Sequence, residues 1–382
     1  MSVSTSIHLN PSARGWTHEG SRAKNEGTVL SFHETLADYN KTPLHDLSGA
    51  ARELGLGGVV VKDESARFGL PAFKILGASW AVYRAVGWHL GVPVAEGQIP
   101  IAELGAKARK AGVRVVTATE GNCGRAIARM AARYMNLPVR VYVPGFMDQE
   151  TQDLIEGEGA EVVVGEGSYD DLIPIVYEEA EDKKETLLIL DVSFKGYSDI
   201  PKYFVQGYGT MLAEADQQVL ETTGGNQAAT HAIVPVGAGS VAEAVTAHYK
   251  APGRASKARV LAVEPATAAC LHESMKAGKS VTITTQETIM NGLNCGTLST
   301  TAWPALKAGV DASIVITDSE AHAAVEELKK AKIDAGPCGA AALAALRKVC
   351  ADSDAKKQLG LDKDAVVVLY CTEGSREYPV PT

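Results

Sequence analysis

The sequence predicts an α/β protein with two open, mainly parallel sheets, and three observations support that fold class. Predicted strands and helices alternate through the middle of the chain, which is typical of a parallel sheet covered by helices. A second set of strands and helices begins after residue 230. The 382 residues are 46% hydrophobic and 22% charged, as in ordinary α/β proteins, and they are too many for one small domain.

The order of these elements suggests two domains. In the first set, strands at 113–117, 139–143, 161–164 and 187–190 precede helices at 124–135, 149–157, 169–179 and 201–215. The second set has strands at 232–236, 260–263 and 365–370 and a helix at 241–249. We expect residues 1–76 and 204–382 to form a large, discontinuous domain and residues 77–203 a small one. The active site is expected in the cleft between them.

The stretch around Lys74 joins a strand to a helix. Residues 1–40 are predicted to be irregular, 42–54 to be helix-like and 59–61 to be a buried strand. Pro71 suits the first position of the next helix, whose apolar residues recur at helical spacing. Lys74 then falls in its first turn, where the helix dipole disfavours a cation and favours the neutral, nucleophilic amine. The alternative is a surface lysine that merely begins a helix.

Composition excludes several classes of protein. A net charge of −9 without lysine or arginine runs argues against nucleic-acid binding. No apolar stretch approaches the roughly 20 residues of a membrane helix, and residues 1–20 lack an apolar signal core, so we expect a cytoplasmic protein. The six cysteines form no CxxC pair and are expected to be reduced thiols. The nine histidines lack zinc-site spacing, so no metal site is predicted.

A glycine loop follows the first strand of the second set. Gly237, Ala238, Gly239 and Ser240 lie where that strand gives way to a helix, and free N–H groups at a helix start bind anions. With Glu264 ending the next strand, the pattern also resembles a dinucleotide fingerprint. A dinucleotide site, another phosphate site and a tight turn all stay open from this segment alone. Lys74 favours a pyridoxal enzyme, which needs both a lysine and a phosphate site.

A third polar segment lies between a strand and a helix of the first set. Donors from Thr119, Gly121 and Asn122 are placed to hold a substrate carboxylate, and Asn122 is placed to hydrogen-bond a cofactor ring oxygen. Serine, threonine and asparagine are also common helix caps, so a purely structural role is the alternative.

These elements, in this order, resemble the fold type II pyridoxal phosphate enzymes and, within them, the diaminopropionate ammonia-lyases. The resemblance covers about residues 40–375 and is carried by segments 67–74 (RFGLPAFK), 119–125 (TEGNCGR), 191–197 (DVSFKGY) and 372–374 (TEG), together with the glycine loop. That family usually has Asp-Gly-Asn-His-Gly in the second of these segments. This chain departs from the pattern with Glu120 and Cys123.

The resemblance implies pyridoxal 5'-phosphate as cofactor, with Lys74 as Schiff-base lysine and as base toward an L-substrate. Glu120 would act as base for the D-isomer, and Asp191 would bind the β-ammonium or protonate the leaving group. Thr372 would contact the pyridine nitrogen, with Ser375 as the alternative. The implied reaction is α,β-elimination of 2,3-diaminopropionate, D and/or L, to pyruvate and ammonia, in a homodimer that acts on a small amino acid.

Three competing functions remain at this point. The first is a dehydratase for serine, threonine or hydroxyaspartate, or a β-replacement enzyme, with the same cofactor. The second is an oxidoreductase that binds a nicotinamide dinucleotide, with Glu264 on the ribose. The third is a non-catalytic ligand-binding protein that retains the fold.

Overall fold

The computed structural model of the protein describes residues 6–19, 23–94, 99–225, 227–254 and 258–381. Within them the strands are β1 (Ile7–Leu9), β2 (Leu44–Asp46), β3 (Gly58–Asp63), β4 (Arg114–Ala118), β5 (Val139–Pro144), β6 (Glu161–Gly165), β7 (Thr186–Leu188), β8 (His231–Pro235), β9 (Arg259–Pro265), β10 (Ala312–Ile316) and β11 (Val366–Cys371).

The α-helices of the same ranges are α1 (Ala23–Glu34), α2 (Ser48–Leu54), α3 (Lys74–His89), α4 (Ile101–Lys110), α5 (Asn122–Ala128), α6 (Gln149–Glu156), α7 (Tyr169–Glu181), α8 (Asp199–Gly207), α9 (Gly209–Thr222), α10 (Ser240–Tyr249), α11 (Cys270–Ala277), α12 (Ala302–Gly309), α13 (Asp318–Lys330), α14 (Pro337–Ala351) and α15 (Ser353–Leu359). Helix α5 continues into a π-helical turn, Arg129–Tyr134.

The chain divides into two compact units. The first contains Met1–Asn25, Asn40–Phe73 and Met211–Thr382, and the second contains Glu26–Tyr39 and Lys74–Thr210. These boundaries fall a few residues from those expected from the sequence, and residues 26–39 join the second unit.

Each unit is built on one sheet. In the first unit the strand order is β1-β10-β9-β8-β11-β3-β2, and the edge strands β1 and β2 are antiparallel to their neighbours while the inner pairs are parallel. In the second unit the order is β6-β5-β4-β7, with parallel pairing throughout. The predicted α/β class with two mainly parallel sheets is confirmed.

Apolar side chains fill the core of each unit. Strand β11 is buried along its whole length, and the alanine-rich helix α14 packs against β8, β9, β10 and β11 because its small side chains permit a close approach. A smaller cluster in the second unit joins β4 and β7 to α7: Val116, Ala118, Leu172, Val176, Leu188 and Leu190.

Several expectations about local structure are wrong. The described part of residues 1–40 contains β1 and α1 rather than irregular chain only, and residues 42–54 contain β2 before α2. The helix expected at 201–215 is two helices, separated at Tyr208. Strand β10 was not predicted, and α3 begins at Lys74, three residues after Pro71. None of the helices in the described part of the chain combines the length and the apolarity that crossing a bilayer requires.

Candidate active site

The segment that leads to Lys74 begins with a tight turn after β3. Phe68 and Gly69 have φ values of 55° and 69°, and the amide of Leu70 donates to the carbonyl oxygen of Arg67 at 2.9 Å. Two successive positive φ angles are typical of a type I′ turn. Glycine adopts this conformation without strain, but a buried phenylalanine does so only when its surroundings hold it there.

A buried network of charges holds this turn. The Arg67 guanidinium donates to Glu64 Oε2 at 2.8 Å and to Glu214 Oε2 at 2.7 Å, and Lys62 Nζ donates to Glu214 Oε2 at 2.6 Å. The Thr42 hydroxyl donates to Glu64 Oε1 at 2.7 Å. The ionised side chains are at most 2% exposed, so water does not hydrate their charges. Each charge is stabilised by its partners in the network instead.

The residues before Lys74 pair with the segment after β11 through one antiparallel bridge, between Ala72 and Glu373. The amide of Phe73 donates to the carbonyl oxygen of Thr372 at 3.3 Å, and the amide of Gly374 donates to the carbonyl oxygen of Pro71 at 2.9 Å. Because Pro71 is held in this pairing, it does not start the helix as the sequence suggested. Helix α3 begins immediately afterwards, at Lys74.

The amine of Lys74 forms an ion pair in the second unit. Its Nζ lies 2.6 Å from Asp191 Oδ2, and the two side chains are 26% and 15% exposed. Burial lowers the pKa of Lys74, but the carboxylate of Asp191, with smaller contributions from Tyr208 and Cys123, raises it well above its usual value. The expectation of a neutral amine is therefore wrong.

Asp191 is placed by a short hairpin after β7. Phe194 and Tyr197 exchange both backbone hydrogen bonds, at 3.1 and 2.9 Å, and their rings stack. The Tyr197 hydroxyl accepts from the amide of Leu190 and donates to the carbonyl oxygen of Leu188, both at 2.9 Å. The hairpin thus fixes the chain on each side of Asp191. Burial would raise the pKa of Asp191, but Lys74 and a hydrogen bond from Cys123 lower it below its usual value.

The loop between β4 and α5 has a backbone conformation that favours glycine at position 121. Gly121 has φ 145°, which disfavours any residue with a side chain. The Thr119 hydroxyl accepts from the amides of Gly121 and Gly124 at 3.1 and 2.9 Å, so this buried side chain shapes the loop. Asn122 opens α5 and is half-buried, whereas Glu120 is exposed.

Two glycines set the spacing between α3 and α8. A Cβ atom on Gly77 would lie 2.6 Å from the Tyr208 ring, and one on Gly207 would lie 2.7 Å from the Cα of Gly77. Real Cβ atoms do not make such contacts, so both positions need glycine at this helix separation. This close packing brings Tyr208 toward the first turn of α3, where it affects the charge of Lys74.

The glycine loop in the first unit fits a phosphate group. Gly239 has φ 100°, and a Cβ atom there would lie 3.1 Å from side-chain atoms of Ala302 and Leu306. A Cβ atom on Gly237 would lie 3.0 Å from the carbonyl oxygen of Gly292. Ser240 opens the ten-residue helix α10, whose first N–H groups have no partner within the helix. Bare backbone at such a helix start suits a dianionic phosphate monoester.

Glu264 does not fit the dinucleotide alternative. Its carboxyl group is fully buried and accepts from the amides of Leu271 and His272, at 2.7 and 2.8 Å, at the start of α11. Burial raises its pKa to about 8 despite these bonds. A buried carboxyl group already bonded to a helix start is not presented to a ribose hydroxyl.

The structure therefore brings Lys74 and Asp191 together, with the loop of Thr119, Gly121 and Asn122 in the same unit. Sequence reasoning assigned no role to Tyr197 or Tyr208, because both roles depend on packing that no local pattern shows. Cys123, for which the sequence predicted only a reduced thiol, contributes to the pKa shifts of both Asp191 and Lys74. The signal in the sequence was that Cys123 replaces the histidine usual in the family at this point of the loop.

A family model described as "Pyridoxal-phosphate dependent enzyme" matches residues 36–373. The chain belongs to this family of pyridoxal-phosphate-dependent enzymes, as its fold and the lysine at the start of α3 indicate.

Within the family, the chain is similar to diaminopropionate ammonia-lyases. It is 34% identical to the enzyme of Salmonella typhimurium (strain LT2), over 91% of this chain and 88% of that protein. It matches the Escherichia coli enzyme in complex with an aminoacrylate-PLP azomethine reaction intermediate with a TM-score of 0.85 and 30% identity, over 96% and 93% of the two chains. The E. coli enzyme in complex with D-serine matches with a TM-score of 0.84 and 28% identity over the same shares. The resemblance predicted from the sequence is confirmed.

Proposed function

We propose that this chain is a pyridoxal-phosphate-dependent ammonia-lyase that converts 2,3-diaminopropionate and water to pyruvate and two ammonia molecules. The observation that carries this proposal is the Lys74–Asp191 pair at 2.6 Å, within a chain that shares 34% identity with a diaminopropionate ammonia-lyase. A lysine supplies the amine that such a cofactor requires, and an adjacent carboxylate suits a substrate with a second ammonium group.

The residues that would hold the cofactor fit its chemistry. Lys74 would bind its aldehyde carbon, and the backbone of Gly237, Ala238, Gly239 and Ser240 would bind its phosphate. When bound, pyridoxal phosphate supplies a ring that accepts electrons from the substrate α-carbon.

Two further residues complete the proposed contacts with the cofactor ring. The Asn122 side chain would donate to the ring oxygen, and the Thr372 hydroxyl, or that of Ser375, would face the pyridine nitrogen.

The remaining steps belong to side chains of the chain itself. The Lys74 amine, once it has given up its proton, removes the α-proton of the L-substrate. Asp191 binds the β-ammonium group, and its negative charge retains that group until it leaves. The amides of Gly121 and Asn122 bind the substrate carboxylate, in the loop that Thr119 shapes.

Glu120 is proposed as the base for the D-isomer. Its exposed side chain precedes the Gly121 turn, and glutamate keeps the carboxylate of the usual aspartate while extending it by one methylene. Removing one general base lowers the rate by roughly 10²–10⁴-fold. Glu120→Gln should therefore lower D-isomer turnover by that factor and leave L-isomer turnover close to wild type.

The test compares both isomers of diaminopropionate with L-serine. Diaminopropionate should release two ammonia molecules per pyruvate and serine one, and Lys74→Ala should abolish turnover of all three and the visible absorbance of the bound cofactor. Glu150→Gln, at another exposed glutamate in the first turn of α6, is the matched control for Glu120→Gln. Faster turnover of serine than of diaminopropionate would contradict the assigned substrate, and equal loss of both isomers in Glu120→Gln would contradict the two-base scheme.

The homodimer and the cytoplasmic location expected from the sequence are proposals as well, and similarity to the ammonia-lyases supports the first. Sedimentation of the cofactor-loaded protein tests the dimer, and fractionation of cells that express the chain tests the location.

A further inference from the structure

A small cavity in the first unit lies beside the amino end of strand β9. Its volume is about 150 Å³, and its lining includes Arg14, Arg259 and Asp311. Arg259 is the first residue of β9 and is paired with His231, the first residue of the parallel strand β8. The glycine loop follows the other end of β8, so at about 3.3 Å per residue the cavity lies roughly 20 Å from it. The cavity is therefore separate from the proposed phosphate loop.

The carboxylate that lines this cavity is neutralised by a buried lysine. Asp311 Oδ2 accepts from Lys250 Nζ and from the amide of Val260, both at 2.8 Å. The side chains of Lys250 and Asp311 are 1% and 3% exposed. Because their charges cancel, this pair adds no net charge to the cavity.

The two arginines of the cavity leave it with a net positive charge. In the part of the chain that the structure describes, neither Arg14 nor Arg259 forms an ion pair with a carboxylate. Arg259 is half-buried, and its Nη1 donates to the carbonyl oxygen of Gln358 at 3.0 Å. Burial lowers the pKa of Arg259, Asp311 raises it and the charge of Arg14 lowers it further. The two guanidinium groups therefore repel each other, and an anion between them would remove that repulsion.

The segment that carries Arg14 is held in place by its own contacts. It is a short 3-10 helix, Pro11–Arg14, and its Ala13 side chain is fully buried. Just before it, Asn10 Nδ2 donates to the carbonyl oxygens of Lys307 and Val310 at 2.9 and 3.0 Å. Because the backbone is fixed in this way, little ordering of the chain would oppose ligand binding.

The charge and the size of the cavity indicate the class of ligand. Two unpaired guanidinium charges match a dianion, and the planar guanidinium group donates parallel hydrogen bonds to phosphate oxygens. At ~30 Å³ for each water molecule, a volume of about 150 Å³ has room for one phosphate group. We propose that this cavity binds a phosphate dianion between Arg14 and Arg259, either inorganic phosphate or the phosphate group of a monoester. The inference does not depend on the proposed function.

The test is calorimetric titration of the protein loaded with pyridoxal phosphate. Inorganic phosphate is added at pH 7.5, with the ionic strength held constant by chloride, while the visible absorbance reports that the cofactor stays bound. Wild type should bind one phosphate per chain. Arg14→Gln and Arg259→Gln should each weaken binding at least tenfold, because each removes hydrogen bonds to a charged group. Arg52→Gln is the matched control, since Arg52 is an exposed arginine of the same unit and its loss changes the net charge equally.

Three results would overturn the inference: no phosphate binding by wild type, equal affinities in Arg14→Gln and Arg52→Gln, or loss of the cofactor absorbance in step with binding, which would place phosphate at the glycine loop. Arg259→Gln also loses the hydrogen bond to Gln358, so the exposed Arg14 provides the decisive variant if Arg259→Gln fails to fold.

The source of the phosphate group is tested by titrating glycerol 3-phosphate in the same way. An affinity at least tenfold higher than that of inorganic phosphate, lost in Arg14→Gln, would identify a phosphate monoester as the ligand. An equal or lower affinity would identify free phosphate.

Discussion

Replacing Arg67 with methionine tests how strongly the buried charge network holds the turn before Lys74. The substitution removes the guanidinium and keeps an apolar stem, so both carboxylates lose that partner, while Glu64 keeps the Thr42 hydroxyl and Glu214 keeps Lys62. Breaking a buried ion network by removing one partner costs about 3–5 kcal/mol. At roughly 2–4 °C per kcal/mol for a domain of this size, the melting temperature should fall by roughly 6–20 °C.

Arg347 provides a matched control on the surface of the same unit. Its guanidinium also contacts two carboxylates, with Nη1 2.9 Å from Glu53 Oε1 and Nη2 2.6 Å from Glu327 Oε1. Its side chain is 32% exposed, whereas that of Arg67 is fully buried. Each exposed pair contributes about 0–1 kcal/mol, so losing both in Arg347→Met should lower the melting temperature by no more than about 8 °C.

The assay is calorimetric melting of both variants and wild type without cofactor at pH 7.5. Equal shifts for the two arginines, or a shift below roughly 2 °C for Arg67→Met, would refute the argument that burial sets the cost of removing the charge. Below its melting temperature, Arg67→Met should also bind pyridoxal phosphate more weakly than wild type, because the network holds the turn from which the chain continues to Lys74.

Three other predictions concern backbone space and pH. Gly239→Ala should weaken pyridoxal phosphate binding at least tenfold in a fluorescence titration, because φ 100° strains any L-residue by about 1–3 kcal/mol; unchanged affinity would contradict the assigned phosphate loop. Gly207→Ala should destabilise the protein by about 1–3 kcal/mol through overpacking between α3 and α8, and a wild-type melting temperature would contradict that close approach. Burial would raise the pKa of Asp216, but His248 and Arg254 lower it to about 2. The ionised carboxylate therefore adds to the free energy of unfolding above its ordinary pKa, and this contribution is lost as pH falls toward 2. Asp216→Asn should therefore destabilise the protein by roughly 2 kcal/mol at pH 7, and melting curves of variant and wild type should converge in acid; a difference that persists at pH 2 would contradict this linkage.

The sequence by itself determined the elements whose signal is local. Alternating apolar strands and amphipathic helices predicted the two parallel sheets, and the glycine pattern after β8 predicted the loop that opens α10. The role of this loop as an anion site stays a prediction. The family was predicted from short motifs. These features depend on neighbours within a few residues, which the sequence order contains.

Only the tertiary structure decided features that depend on distant partners. Strand β1 exists because Ile7–Leu9 pairs with β10, some 300 residues later, and three apolar residues alone do not form a strand. The start of α3 moved from Pro71 to Lys74 because residues 71–73 pair with residues 372–374. In both cases hydrogen bonds between remote segments outweighed local preference.

The protonation of Lys74 also depends on a distant partner, so the sequence alone did not predict it. From the sequence, the helix dipole alone acts on this amine and favours its neutral form. A helix start amounts to about half an elementary charge spread over several N–H groups, whereas the carboxylate of Asp191 is a full charge 2.6 Å away, contributed from 117 residues along the chain. The nearer and larger charge sets the protonation of the lysine, and only the folded chain brings it there.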